Sequence, residues 1–180
     1  MSFVQAAAPK RYDLIARLLH WLVVLLVIAQ FVIGWTMPGV HRGDLPAGEV
    51  NWHLWVGVLL LLVMAVRVVW RITHRPPPAP KSLPAGLRIL STAGHHTLYL
   101  LLVITPVLGW LNASARGWTV SLFNLISLPA LTSTTSSLGH ALGRLHSPLS
   151  WVLLAVIVLH ILAALYHRLV RKDQILARMI

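Results

Sequence analysis

Four long apolar runs restrict the possible folds of this chain more than any other feature of its sequence. The first extends from Leu14 to Trp35, and an α-helix needs about 20 mostly apolar residues to cross a bilayer core. We predict membrane-spanning helices over about 14–36, 51–72, 87–111 and 138–171. The predicted fold class is therefore an all-α membrane protein, a bundle of four transmembrane helices that forms one domain over residues 1–180.

The composition agrees with a lipid-embedded protein and excludes several classes of site. Only 11% of the residues are charged, whereas a typical soluble domain has about 25%. The chain has no cysteine, which excludes disulfides, thiolate iron–sulfur clusters and covalently attached haem. The net charge of +11 does not predict nucleic-acid binding, because the basic residues cluster beside the apolar runs.

The distribution of basic residues predicts the orientation of the four helices. Of the 15 lysine and arginine residues, all except Arg42, Arg116 and Arg144 flank one set of helix ends. Cytoplasmic loops carry the excess of positive charge in membrane proteins. We therefore expect a multi-pass protein with both termini in the cytoplasm and the lipid bilayer as its immediate partner.

Two histidines of the fourth predicted helix are spaced to reach both sides of the membrane. His146 and His160 are fourteen residues apart, which is about 40° short of four full helical turns and roughly 21 Å along the axis. Both imidazoles therefore lie on one face, one near each membrane surface. Depth pairs His160 with His20 of the first helix on the cytoplasmic side, and His146 with His53 of the second on the outer side.

Two stacked pairs of imidazoles from different helices favour two molecules of haem b, the non-covalent iron protoporphyrin. Two axial histidines close both faces of the iron and favour electron transfer. Zinc fits less well, because it takes four tetrahedral ligands and the predicted bundle interior offers neither acids nor thiols. His140 competes with His146 for the outer site, but it lies about 160° away from the face of His160. The predicted iron ligands are therefore His20, His53, His146 and His160.

Two arginines are further candidates for cofactor binding. Arg17 precedes His20 by one turn, and Arg67 lies near the expected depth of the inner haem. Arginine pairs well with carboxylates, so both are candidates for contacts with haem propionates. The competing interpretation is that these side chains extend to the lipid headgroups. His95, His96 and His167 leave two interpretations open: contacts to a haem edge or a quinone, or simple interfacial hydrogen bonding.

Several motifs resemble the bacterial cytochrome b561 family over nearly the whole chain. They are Arg17-Leu-Leu-His20-Trp21, Trp52-His53, the stretch from Gly94-His95 through Tyr99 to Pro106 and Gly109, Leu145-His146, Leu159-His160 through Tyr166-His167, and the closing Arg171 to Met179. The resemblance implies a four-helix protein of the bacterial inner membrane with two b haems, ligated at the same four histidines. Some members of the family have two adjacent histidines where this chain has Tyr166-His167.

The resemblance also implies a function. One member of the family oxidises superoxide and passes the electron to ubiquinone. We therefore expect a di-haem cytochrome, in the respiratory chain, that moves electrons between a periplasmic donor, with superoxide as one candidate, and membrane ubiquinone. Two alternatives stay open: a cytochrome b subunit that anchors a dehydrogenase or hydrogenase, and a four-helix transporter without redox chemistry.

Overall fold

The described part of the chain is almost entirely helical. A computed structural model describes residues 11–41, 43–74, 77–78 and 84–180. Of the basic residues used above for orientation, Lys10, Arg42, Arg75 and Lys81 lie outside them. The helices are α1 (Leu14–Thr36), α2 (Glu49–Thr73), α3 (Ala85–Ala115), α4 (Ser137–Gly143) and α5 (His146–Leu169), followed by a 3-10 turn at Leu176–Arg178. Between α3 and α4, strands β1 (Ser121–Leu122) and β2 (Ile126–Ser127) pair antiparallel. The helices α1, α2 and α3 and the α4–α5 segment are each long and apolar enough to cross a membrane, which confirms the predicted all-α fold class.

Side-chain contacts show that α1 and α2 run antiparallel. Asp13 caps α1, because its Oδ1 accepts a hydrogen bond from Ala16 N at 2.8 Å, and the same atom accepts from Trp70 Nε1 near the end of α2 at 3.0 Å. Near the other end of α1, Gln30 bonds to the backbone of His53 at the start of α2. We call the end of the bundle at which α1 stops and α2 begins the His53 end, and the opposite end the His20 end.

The fourth predicted helix is divided in the structure. Ser136 caps the short α4 by accepting a hydrogen bond from Gly139 N at 3.0 Å, and α5 begins only at His146. A Cβ atom on Gly143 would lie 2.8 Å from the Cα of Asn112, so α4 approaches α3 at a distance that only glycine permits. Pro148 falls in the first turn of α5, where its missing N–H breaks no helical hydrogen bond. The predicted continuous helix over 138–171 is thus two helices, and the second ends at Leu169.

Apolar residues from all four spans meet in the middle of the bundle. The central cluster includes Val27 of α1, Met64 of α2, Leu102 of α3 and Leu153 of α5, and Met64 is fully buried. A second cluster at the His53 end joins Val58 and Ala113 to Val120, just before β1, so the hairpin covers this end of the bundle. Because the predicted histidine pairs lie on either side of the central cluster, apolar packing separates them.

The residues that follow α5 fold back onto the start of α1. Trp21 Nε1 donates to Met179 O at 3.1 Å, and Tyr12 N donates to Arg178 O at 3.0 Å. At the turn itself, Asp173 accepts hydrogen bonds from His167 Nδ1 at 2.6 Å and from Ile175 N at 3.2 Å. This closing segment therefore ties the ends of α1 and α5 together at the His20 end.

Candidate functional site

Two histidines face each other at the His53 end of the bundle. The rings of His53 and His146 have centroids 5.9 Å apart and are inclined at 89° to each other. Both side chains are only partly buried. His53 is on α2 and His146 is on α5. The two residues lie at the same end of the bundle, as expected from their depth along the predicted helices. His146, which the sequence favoured over His140, is the residue that the structure places against His53.

A backbone carbonyl orients the His146 ring. His146 Nδ1 lies 2.8 Å from Thr105 O on α3. A carbonyl oxygen only accepts hydrogen bonds, so this bond assigns the proton to Nδ1 and leaves the lone pair on Nε2. Histidines that bind metals usually have this arrangement, because the hydrogen bond fixes both the tautomer and the ring orientation.

Two glycines make room for the rings of this pair. A Cβ atom on Gly109 would lie 3.0 Å from both Cε1 and Nδ1 of His146, and one on Gly34 would lie 3.5 Å from Cε1 of His53. Gly109 follows Thr105 by one helical turn, so the ring that bonds the Thr105 carbonyl passes directly over this glycine. The space that these two glycines leave beside the rings, together with the lone pair on His146 Nε2, fits a flat macrocycle held by axial imidazoles.

The His20 end brings together three histidines from three helices. The rings of His95 on α3 and His160 on α5 have centroids 5.4 Å apart at an angle of 80°, much like the pair at the other end. His20 on α1 lies within electrostatic range of both. His95 Nδ1 donates to Ser91 O at 2.6 Å, so its Nε2 also keeps a free lone pair. The structure therefore places His95, whose role the sequence left open, at the predicted His20–His160 site.

Arg67 lies within this cluster of histidines. Its Nη2 donates to His20 Nδ1 at 3.0 Å, and its Nε donates to Tyr99 Oη at 3.1 Å. The guanidinium carbon also lies 5.5 Å from the centroid of the Tyr99 ring. Since an arginine cannot accept, His20 Nδ1 is the acceptor here and the ring proton is on Nε2. This places the predicted cofactor arginine at the expected depth.

Arg17 is engaged elsewhere. Its Nη1 donates to Ile180 O at 2.8 Å, which ties α1 to the closing segment. The predicted contact of Arg17 with a haem propionate stays a prediction. Sequence reasoning missed Ile180 as a partner, because the fold-back of the last residues has no signal in hydropathy.

The donor set suits an axially ligated porphyrin better than a bare metal ion. Among the residues that the structure describes, no group of three or more histidine, aspartate, glutamate or cysteine side chains is arranged to hold a metal ion. Paired imidazoles beside glycine surfaces meet the requirements of haem, whose porphyrin supplies the four other ligands of the iron. The residues at the His53 end fit a haem group, and the residues at the His20 end supply imidazoles that a second haem needs.

The comparison with known proteins decides the family. A family model described as prokaryotic cytochrome b561 matches residues 11–180. The chain belongs to the prokaryotic cytochrome b561 family. The cytochrome is therefore a membrane protein of a family that binds b-type haem and serves electron transport.

Three relatives match the cytochrome over most of their length. It is 32% identical over 181 residues to "Cytochrome b561 homolog 2" of Escherichia coli (strain K12), covering 100% of this chain and 95% of the relative. It is 34% identical over 175 residues to "Probable superoxide oxidase CybB" of Yersinia pestis, covering 94% and 96%. It is 30% identical over 176 residues to "Cytochrome b562" of Cereibacter sphaeroides, covering 89% of each.

Proposed function

We propose that the cytochrome holds two haem b groups, one at each end of the bundle, and passes single electrons between a donor at the His53 end and membrane ubiquinone. The observation that carries the proposal is the facing pair His53 and His146, with the lone pair of His146 Nε2 fixed by Thr105. Bound haem supplies reversible one-electron chemistry at its iron. The chain positions the axial ligands, excludes water and sets the local charge.

At the His53 end, His53 and His146 are the proposed axial ligands. The hydrogen bond to Thr105 O keeps the proton on Nδ1 of His146, so Nε2 is available to iron without a change of tautomer. Gly34 and Gly109 keep both imidazoles free of side-chain contacts that would tilt them. The orientation of His146 and the space around both rings support the proposed ligation at this end.

At the His20 end, His20 and His160 are the proposed ligands, and Arg67 is a proposed partner of a haem propionate. Ligation through His20 Nε2 requires the ring proton to move to Nδ1, which then cannot accept from Arg67. That change would release Nη2 of Arg67, which could then pair with a propionate carboxylate, while Nε keeps its hydrogen bond to Tyr99. His95 lies against His160 and is a neighbour of this haem, not one of its ligands, in the proposal.

The apolar centre of the bundle separates the two proposed haems. His146 and His160 are both on α5, and Leu153, midway between them, belongs to the same apolar cluster as the fully buried Met64. An apolar layer of this kind is an unfavourable path for ions, which supports a role in which electrons pass between the two sites.

The proposed orientation puts the His20 end in the cytoplasm and the His53 end in the periplasm, in the bacterial inner membrane. Most of the basic residues at the span ends lie at the His20 end, among them Arg17, Arg71, Arg88 and Arg168. The positive-inside rule supports this orientation. The name of the Yersinia pestis relative supports superoxide as the proposed periplasmic donor.

A stopped-flow experiment with the purified, haem-loaded cytochrome tests this function. Superoxide is generated enzymatically, and the sharp absorbance bands of reduced haem b are followed with time. Short-chain ubiquinone is then added, and reoxidation of the haem is recorded. Heat-denatured cytochrome and a sample containing superoxide dismutase serve as controls.

We expect rapid haem reduction that the dismutase suppresses, followed by reoxidation by ubiquinone. Reduction no faster than in the denatured control would remove superoxide as the donor. If only a partner dehydrogenase then reduced the haems, the anchoring role would replace the proposal. A colourless preparation that takes up no haem would leave the non-redox transporter as the remaining interpretation.

A further inference from the structure

Gln30 places a polar side chain within the apolar helix α1, near its end and directly beside the start of α2. Its Nε2 donates to the backbone oxygen of His53 at 3.1 Å. A Cβ atom on Gly57 would lie 2.9 Å from that Nε2, so the amide reaches the carbonyl through a gap that only glycine leaves. The contact is thus built from both helices: a polar residue on α1 and a glycine one turn after His53 on α2.

Two buried polar atoms beside this contact have no hydrogen-bond partner in the structure: Oε1 of Gln30 and Nδ1 of His53. A buried polar atom left unpaired costs about 1–3 kcal/mol, so such atoms are rare and call for an explanation. The two are complementary, because an amide oxygen accepts and the Nδ1–H of a neutral imidazole donates. They also belong to two residues that already touch.

The His53 ring presents its Nδ1 edge to the helix that carries Gln30. A Cβ atom on Gly34, one turn after Gln30 on α1, would lie 3.7 Å from His53 Nδ1 and 3.5 Å from Cε1. On the opposite side of the site, His146 Nδ1 already has its acceptor in Thr105 O. His53 is therefore the member of the pair whose ring still needs an acceptor, and Gln30 is the polar residue adjacent to it on α1.

We propose that Gln30 is a positioning residue for the haem at the His53 end. In the haem-loaded cytochrome, Gln30 Oε1 accepts a hydrogen bond from Nδ1–H of His53. The bond keeps the proton on Nδ1, directs Nε2 to the iron and increases the electron donation of the ring. It stabilises ferric over ferrous haem and thereby lowers the midpoint potential of that haem alone. This inference rests on the proposed ligation by His53.

Redox titration of the purified, haem-loaded cytochrome tests the inference, with low-spin ferric EPR signals as a second readout. In Gln30→Leu the acceptor is lost, so the ratio of reduced to oxidised haem at a fixed ambient potential should rise by roughly two- to twelvefold, the range of a typical hydrogen bond. In Gln30→Glu a carboxylate is the stronger acceptor, so the ratio should fall. The haem at the His20 end should not change in either variant and is the internal control.

Gly57→Ala provides an independent variant that leaves Gln30 in the sequence. The new methyl group displaces the amide, so the variant should shift the same haem in the same direction as Gln30→Leu. Gly86→Ala is its matched control, because a Cβ atom there meets nothing within 4 Å. This pair keeps the test valid if Gln30→Leu does not fold.

The outcomes separate failure of this inference from failure of the proposed function. Two haems with unchanged potentials and EPR signals in Gln30→Leu, Gln30→Glu and Gly57→Ala would overturn the role of Gln30 and leave the haem site intact. Equal shifts of both haems would indicate a general structural effect and would also overturn it. If His53→Ala retained both haems, the proposed ligation itself would fail.

Discussion

Replacing Gly109 with alanine should weaken the site at the His53 end, and the structure gives the size of the effect. The new Cβ would lie 3.0 Å from Cε1 and Nδ1 of the His146 ring. Carbon atoms pack best at about 3.5–4.0 Å, so the ring must move by roughly half an ångström or more. That movement also stretches the 2.8 Å hydrogen bond from His146 Nδ1 to Thr105 O.

The substitution Gly109→Ala has unfavourable and favourable contributions to the free energy of the site. Overpacking costs about 1–3 kcal/mol and the weakened hydrogen bond about 1 kcal/mol. Alanine gains about 1 kcal/mol over glycine in a helix interior. The net loss of about 1–3 kcal/mol corresponds to roughly 5- to 150-fold weaker retention of the haem at the His53 end.

Haem per chain, measured after purification without added haem, is the assay. Gly94→Ala is the matched control, since Gly94 is on the same helix α3 and a Cβ atom there meets nothing within 4 Å. We expect Gly109→Ala to lose the haem at the His53 end and Gly94→Ala to keep both haems. Equal retention in the two variants would refute the argument that the His146 ring needs the space above Gly109.

Three further predictions concern the fold around the sites. Gly143→Ala should lower the thermal midpoint of the protein by several degrees, since its Cβ would lie 2.8 Å from Asn112 Cα; an unchanged midpoint would contradict the close packing of α4 on α3. Burial acts to raise the pKa of Asp173, but its hydrogen bonds, above all the one from His167, outweigh burial and hold the pKa below its usual value. The ionised carboxylate therefore stabilises the folded protein fully above the usual aspartate pKa. This stabilisation is lost as the pH falls through the lowered pKa of the folded protein. The protection factor of the Ile175 amide (its intrinsic exchange rate divided by the measured rate) should therefore fall at acidic pH, and Asp173→Asn should show the low protection already at pH 7. His140→Ala should retain two haems per chain, and loss of one would reassign the ligand at the His53 end.

Hydropathy and length were sufficient to predict the spans. A chain that crosses the bilayer must satisfy its own backbone hydrogen bonds as a helix, and the fixed thickness of the bilayer sets the length of that helix. Hydropathy and length could not predict the break before His146, which depends on how closely Gly143 approaches Asn112. Pro148 was the available local signal. A proline near the middle of a predicted helix often marks the first turn of a new one.

The rings of His53 and His146 lie against each other, as expected from depth, because both residues lie near the start of spans that run in the same direction. Depth does not fix the rotation of a helix about its axis. The contact of His95 with His160 therefore could not be predicted, although His95 lies at the appropriate end of α3. Gln30 offered a signal, since polar residues inside a span are usually functional, but its partner on α2 required the packing of α1.

Haem stoichiometry in single histidine variants tests the central claim most directly. We expect two haems per chain in the unaltered protein, loss of one and the same haem in His53→Ala and His146→Ala, and loss of the other in His20→Ala and His160→Ala. His95→Ala should retain both. Difference spectra and EPR signals identify which haem remains in each variant. One haem in the unaltered protein, or loss of different haems in His53→Ala and His146→Ala, would contradict the account.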